Sequence, residues 1–127
     1  VTRAEAYRRT LYHAGEVRVR IGRRSASADA WMARHGAREA GFITAWNPMS
    51  RPMPSAWNRA AQARLTRDLR GAARAMGEGA LNRWREEMWL AALPRRDLLR
   101  LARRHRQAAI VWLRHGRPAR LHFTSAG

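Results

Sequence analysis

The chain has 127 residues, no cysteine and a formal net charge of +17, from 26 basic side chains against 9 acidic ones. That length suits one domain, residues 1–127, with its own core, and the lack of cysteine excludes disulfide staples and thiolate metal sites. Every basic residue is arginine, whose planar fork matches phosphate, so nucleic acid or another polyanion is one partner the composition suggests. Arginines spread along the whole chain are also what a GC-rich coding bias leaves on a solvated surface.

Val17, Val19 and Ile21 alternate with Arg18 and Arg20, which predicts a half-buried strand. Tyr7 to Tyr12 form a short helical or extended lead into it, with a turn at Gly15. Ser25 to Ser27 offer caps for a short helix through Trp31 and Met32, closed by Gly36. The apolar stretch Gly41–Trp46 predicts a central strand covered on both faces. It empties into a loop from Asn47 to Pro54 that three prolines, Pro48, Pro52 and Pro54, stiffen.

Ser55 is placed to cap the next helix, whose stripe Ala61, Leu65, Leu69, Ala72 and Met76 has helical spacing. Carried one turn back, that stripe reaches Asn58 and sets a polar amide at the buried edge of the first turn. Gly77-Glu78-Gly79 is expected to break the helix and open a flexible connection. Arg85–Ala91 predicts a strand with Trp84, Glu86, Met88 and Leu90 on one face. Pro94–Gln107 predicts a helix with Leu98, Leu101, Ala102 and His105 inward and Arg96, Arg100, Arg103 and Arg104 outward. Ala108–Leu113 and Ala119–Phe123 close the chain as a hairpin about His115–Pro118, with residues 124–127 as a disordered tail. The expected architecture is α/β: a mixed sheet of four to five strands, three helices and a C-terminal β-hairpin.

Tyr7-x-x-Thr10-x-Tyr12, Thr44-Ala45-Trp46-Asn47-Pro48-x-Ser50, Asn58, Trp84-x-Glu86-Glu87 and Gln107-x-Ala109 together resemble the bacterial family called domain of unknown function 3293. The resemblance runs from Tyr7 to Leu121, and Thr-Ala-Trp-Asn-Pro is its most specific part. It implies a family and no reaction. The family pattern tends to carry serine after the paired glutamates and Gly and Asn around the glutamine, where this chain has Met88, Arg106 and Ala108. A nucleophilic role for that serine would leave this chain inactive.

Asn47, Ser50 and Asn58 can converge at the strand end, their amides suited either to a polar ligand or to locking the loop backbone. With Trp57, Trp84, Glu86 and Gln107 they make up the candidate ligand-binding set. Glu86 and Glu87 lie on opposite faces of a strand and cannot act as a carboxylate pair. A buried Glu86 is expected to meet one of the arginines as an ion pair. Trp57, beside Asn58 at the helix start, is the tryptophan expected to be partly exposed, and Arg96, Arg100, Arg103 and Arg104 form the candidate polyanion stripe.

The five histidines never fall at metal-ligand spacing, so neither metal nor cofactor is expected. No apolar run nears the ~18 residues of a membrane span, and no signal-peptide core accompanies Arg3, Glu5, Arg8 and Arg9. A cytoplasmic protein without membrane contact is the expectation. The favoured function is a non-catalytic binding module for nucleic acid or another polyanion. The alternative is a small-molecule binding protein or enzyme with its pocket at the Asn-Pro loop.

Overall fold

The computed structural model describes residues 2–125. Thr2 caps α1 (Arg3–Arg9) through a reciprocal bond with Glu5, and β1 (Leu11–Ala14) turns at Gly15 into β2 (Val17–Val19). Gly15 takes the positive φ of 57° that this tight turn requires. Ser25 then caps α2 (Ala26–Arg34), which leads to β3 (Glu39–Ile43). Beyond the proline loop come α3 (Ser55–Asp68), β4 (Arg74–Leu81) and β5 (Trp84–Ala91). The chain finishes with α4 (Arg95–Arg104), β6 (Ala109–Arg114) and β7 (Arg120–Phe123).

The strands form one sheet in the order β2-β1-β4-β5-β3-β6-β7. The expected α/β class holds, with seven strands and four α-helices among the described residues instead of four to five and three. Every ladder is antiparallel, so the sheet is not of mixed direction. Alternation along the central strands supplies two cores. Phe42, Leu90 and Val111 face α2, Tyr12 and the first hairpin on one side. Ile43, Ala91 and Ile110 face Leu65 and Leu69 of α3 and Leu98 and Ala102 of α4 on the other. β3 is thus covered on both faces, which its continuous apolar run anticipated.

The largest departure lies at residues 69–81. The apolar spacing that carries helix geometry to Met76 is coincidental: α3 ends at Asp68, Gly71 reverses the chain at φ 90°, and Met76 lies in β4 opposite Trp89. Gly77-Glu78-Gly79, expected to be a flexible connection, is the middle of β4, paired to β5 and flanked by β1. Its glycines are there for space. A Cβ on Gly77 would collide with the His13 carbonyl and Ala14, and one on Gly79 would come within 2.9 Å of Met88 and 3.3 Å of Tyr12. Ser55 is the first helical residue, not the cap; that position belongs to Pro54, which makes no side-chain bond to the helix. Thr124, placed in the expected disordered tail, is buried and donates its hydroxyl toward the carbonyls of Gln107 and Ala108. Residues 126 and 127 of that tail lie outside the described residues.

The sheet curls enough to bring its ends together. Gly22, just past β2, donates to the Ala119 carbonyl at 2.8 Å, and Ala119 donates to Arg23 at 2.9 Å. Tyr7 of α1 meets Phe123 of β7 edge to face, 6.1 Å between ring centroids. No helix among the described residues is long and apolar enough to cross a membrane.

Because β4 has no room over Gly77, Gly77→Ala should lower the unfolding free energy by about 2 kcal/mol or more, the cost typical of forcing atoms into a packed interior. Urea denaturation of the two proteins measures it, and an unchanged midpoint would contradict the close strand approach described.

Candidate functional site

Where β3 leaves the sheet its backbone loses its ladder, and every group that stays buried must find another partner. Side chains supply them. The Ala45 N–H donates to Gln62 Oε1 at 2.8 Å, the Trp46 N–H to the Thr44 hydroxyl at 3.1 Å, and the Asn47 N–H to Asn58 Oδ1 at 2.9 Å. Gln107 Nε2 donates to the Trp46 carbonyl at 3.0 Å. Thr44 itself donates to the Glu87 carbonyl of β5 at 2.6 Å. Gln62 lies one helical turn after Asn58, so both amides project from the buried stripe of α3.

Asn47 is the hub. Its Oδ1 accepts from the Met53 N–H at 3.0 Å and from Asn58 Nδ2 at 2.9 Å. A backbone N–H can only meet an oxygen, so the amide orientation is fixed and Nδ2 must face the other way. There it donates to Glu86 Oε2 at 3.1 Å. The turn that holds this arrangement is strained: Asn47, Met49 and Ser50 have φ of 45°, 51° and 64°. Such residues cost about 1–3 kcal/mol each and persist where surrounding contacts over-determine them, which is common at functional sites. Arg106, at φ 56°, is a fourth, and its carbonyl accepts the Met49 N–H at 2.8 Å. The indole N–H of Trp46 adds a further cost, being buried without an acceptor among the described residues.

Glu86 is 7% exposed. Its partner across the β4–β5 ladder is Gly79, so no neighbouring side chain covers it from that strand. What remains above it is a cleft of about 360 Å³, walled by Tyr7 and Thr10, by Asn47 and Ser50, and by Trp84 and Gln107. Burial pushes the Glu86 carboxyl up to about 7 from 4.5, the Asn47 amide pulling the other way. No arginine pairs with it among the described residues, which corrects the expected ion pair. Glu86 Oε1 and Gln107 Oε1 have no hydrogen-bond partner among the described residues, and both residues line the cleft. The Tyr7 phenol is raised by burial, with Ser50 acting against it.

The structure therefore brings Asn47, Ser50, Trp84, Glu86 and Gln107 of the expected set to one cleft. Asn58 is 3% exposed and fully used in the lock behind it, and Trp57 faces a different cleft. Sequence reasoning did not include Tyr7, Thr10 or Gln62 in the site. The Tyr7-x-x-Thr10 spacing was the signal for the first two, and the helical phase of Asn58 for the third. The arginine stripe of α4 is partly engaged: Arg100 pairs with Asp97 at 3.2 Å, Arg104 with Asp68 at 3.6 Å, and Arg103 donates to the Thr124 carbonyl at 2.9 Å. Among the described residues no group of three or more His, Cys, Asp or Glu is arranged to hold a metal ion.

Two consequences are measurable. Asn58→Ala strips partners from the Asn47 N–H, the Asn47 Oδ1 and the Met53 carbonyl, and should cost about 2–3 kcal/mol in unfolding free energy, read by urea denaturation. Glu86 has a folded pKa near 7, above its ordinary 4.5, so between those values the native state binds more protons than the unfolded one. Stability is then fully present below about pH 4.5 and falls through pH 7, by on the order of 3 kcal/mol. Comparing the wild type with Glu86→Gln across that window isolates this contribution, which should vanish in the variant; equal slopes would refute it.

The profile of the family described as protein of unknown function, DUF3293, matches residues 43–110. Comparisons with curated proteins and with solved structures give no match. The matched stretch begins at the end of β3 and includes Asn47, Asn58, Gln62, Glu86 and Gln107, while Tyr7 and Thr10 lie outside it. With more than half of its length matched, the chain belongs to the DUF3293 family.

Proposed function

We propose that the cleft over Glu86 binds a small polar molecule and that Glu86 exchanges a proton with it, as a general acid or base near neutral pH. The observation that carries this reading is a buried carboxyl without an arginine partner, in a chain of net charge +17, facing an open cleft. A structural glutamate in such a chain is readily neutralised by an ion pair. Here one oxygen is held by Asn47 and the other is left to the cleft. Proton transfer is most efficient when the group's pKa lies near the working pH, and burial brings Glu86 there.

The surrounding groups suit a ligand with polar edges and an apolar side. The Gln107 oxygen accepts, the Tyr7 and Ser50 hydroxyls donate or accept, and Trp84, 41% exposed, offers a ring face at the rim. The locked loop behind them supplies the rigidity that positions a reacting group.

Ligand-observed NMR against a library of small polar metabolites, at pH near 5.5 and near 8, tests the proposal. Hits should compete for one site, weaken about tenfold in Trp84→Ala, and lose their pH dependence in Glu86→Gln. Binding that is indifferent to both substitutions would refute it.

A further inference from the structure

A second cleft, of about 460 Å³, lies on the opposite flank of the proline loop, with Pro48 and Trp57 at one end. Trp57, Ala61, Arg64 and Asp68 are spaced i, i+4, i+7 and i+11 on α3 and so share one face. Arg67 joins them from the last turn, and Arg104, His105 and Arg106 come from the end of α4. Four arginines thus line one concave site. Asp68 is engaged by Arg104 at 3.6 Å and by His105 at 2.7 Å. Arg64, Arg67 and Arg106 have no carboxylate partner among the described residues.

The concentration of charge here differs from the scatter of arginine elsewhere. Like charges held together repel, and the carbonyl ends of two helices offset only about half a charge each. A bound anion relieves that repulsion, and forked donors from several segments suit the tetrahedral oxygens of a phosphate. Arg106, at its strained φ, serves both loop and cleft: its carbonyl fixes Met49, and the residue lines this cleft. Trp57 is 38% exposed at the far end, where a planar ring can stack and an arginine-bound phosphate remain in reach.

We propose that this second cleft binds a nucleotide unit, its phosphate held by Arg64, Arg67, Arg104 and Arg106 and its ring laid against Trp57. The unit is either a free nucleotide or one residue of a single strand; both present the same phosphate and ring. The site is separate from the carboxyl cleft and stands or falls independently of it.

Isothermal titration calorimetry at ~150 mM salt with adenosine 5′-monophosphate, inorganic phosphate and a short single-stranded oligothymidine tests it. Arg64→Ala/Arg67→Ala changes two exposed helix positions to a better helix former, so the fold is retained, and an unchanged urea midpoint checks that. The double variant should bind nucleotide or oligonucleotide at least about tenfold more weakly. Arg8→Ala/Arg18→Ala, which removes the same charge at exposed positions elsewhere, should change binding by less than about twofold. Trp57→Ala should weaken the ring-bearing probes and leave inorganic phosphate unchanged. Binding of the monophosphate assigns the free nucleotide, and binding of the oligothymidine alone assigns the strand. No binding of either, equal losses in the two double variants, or a Trp57→Ala loss as large for phosphate as for nucleotide would overturn the proposal.

Discussion

The side-chain amide of Asn47 joins three parts of the chain. Its oxygen holds Met53 and Asn58, its nitrogen holds Glu86, and its own backbone N–H is held by Asn58 in return. Removing either amide leaves buried donors and acceptors unpaired in a region where the backbone already sits in left-handed conformations. The proline loop, the first turn of α3 and the exposed end of β5 are therefore one mechanical unit. Both clefts are built on it, one on each flank.

Glu86 shows how burial and pairing compete. A carboxylate among 26 arginines would ordinarily be neutralised by one of them. The Gly79 position, the Tyr12 ring and the Asn47 amide are small, aromatic or neutral neighbours, and Arg3, which lines the same cleft, forms no ion pair with it among the described residues. Its proton is governed by desolvation rather than by a counter-ion, and the rest of the surface can be strongly basic without changing that.

Much of this was legible in the residues. The helical phase of Asn58 and the short loop from Asn47 were enough to place the two amides together, and the alternation in Trp84–Ala91 put Glu86 inside. The segment from Leu69 to Gly79 was not legible, because alanine and glycine carry little periodic signal and Met76 fell on a helical position by coincidence. Glycines that read as punctuation were required by the ring of Tyr12 and the backbone of β1, partners more than sixty residues away. That no arginine pairs with Glu86 among the described residues could not be read either, since composition says how many arginines exist and nothing of where they point. Tyr7 and Thr10 became part of the cleft through the pairing of β1 with β4, which sets Thr10 beside Gly79, the ladder partner of Glu86.

That curl has a consequence for how the molecule coexists with its own copies. An open sheet ends in two rows of unpaired N–H and C=O groups, which invite edge-to-edge association. Here β2 is only three residues long, and the segment that follows it exchanges hydrogen bonds with Ala119, next to β7. The two margins of the sheet are turned toward each other at that corner, leaving less exposed edge to template a neighbour, and Arg18 on β2 with Arg20 just past it adds repulsion to what remains. Self-association by strand addition is disfavoured by geometry as well as by charge.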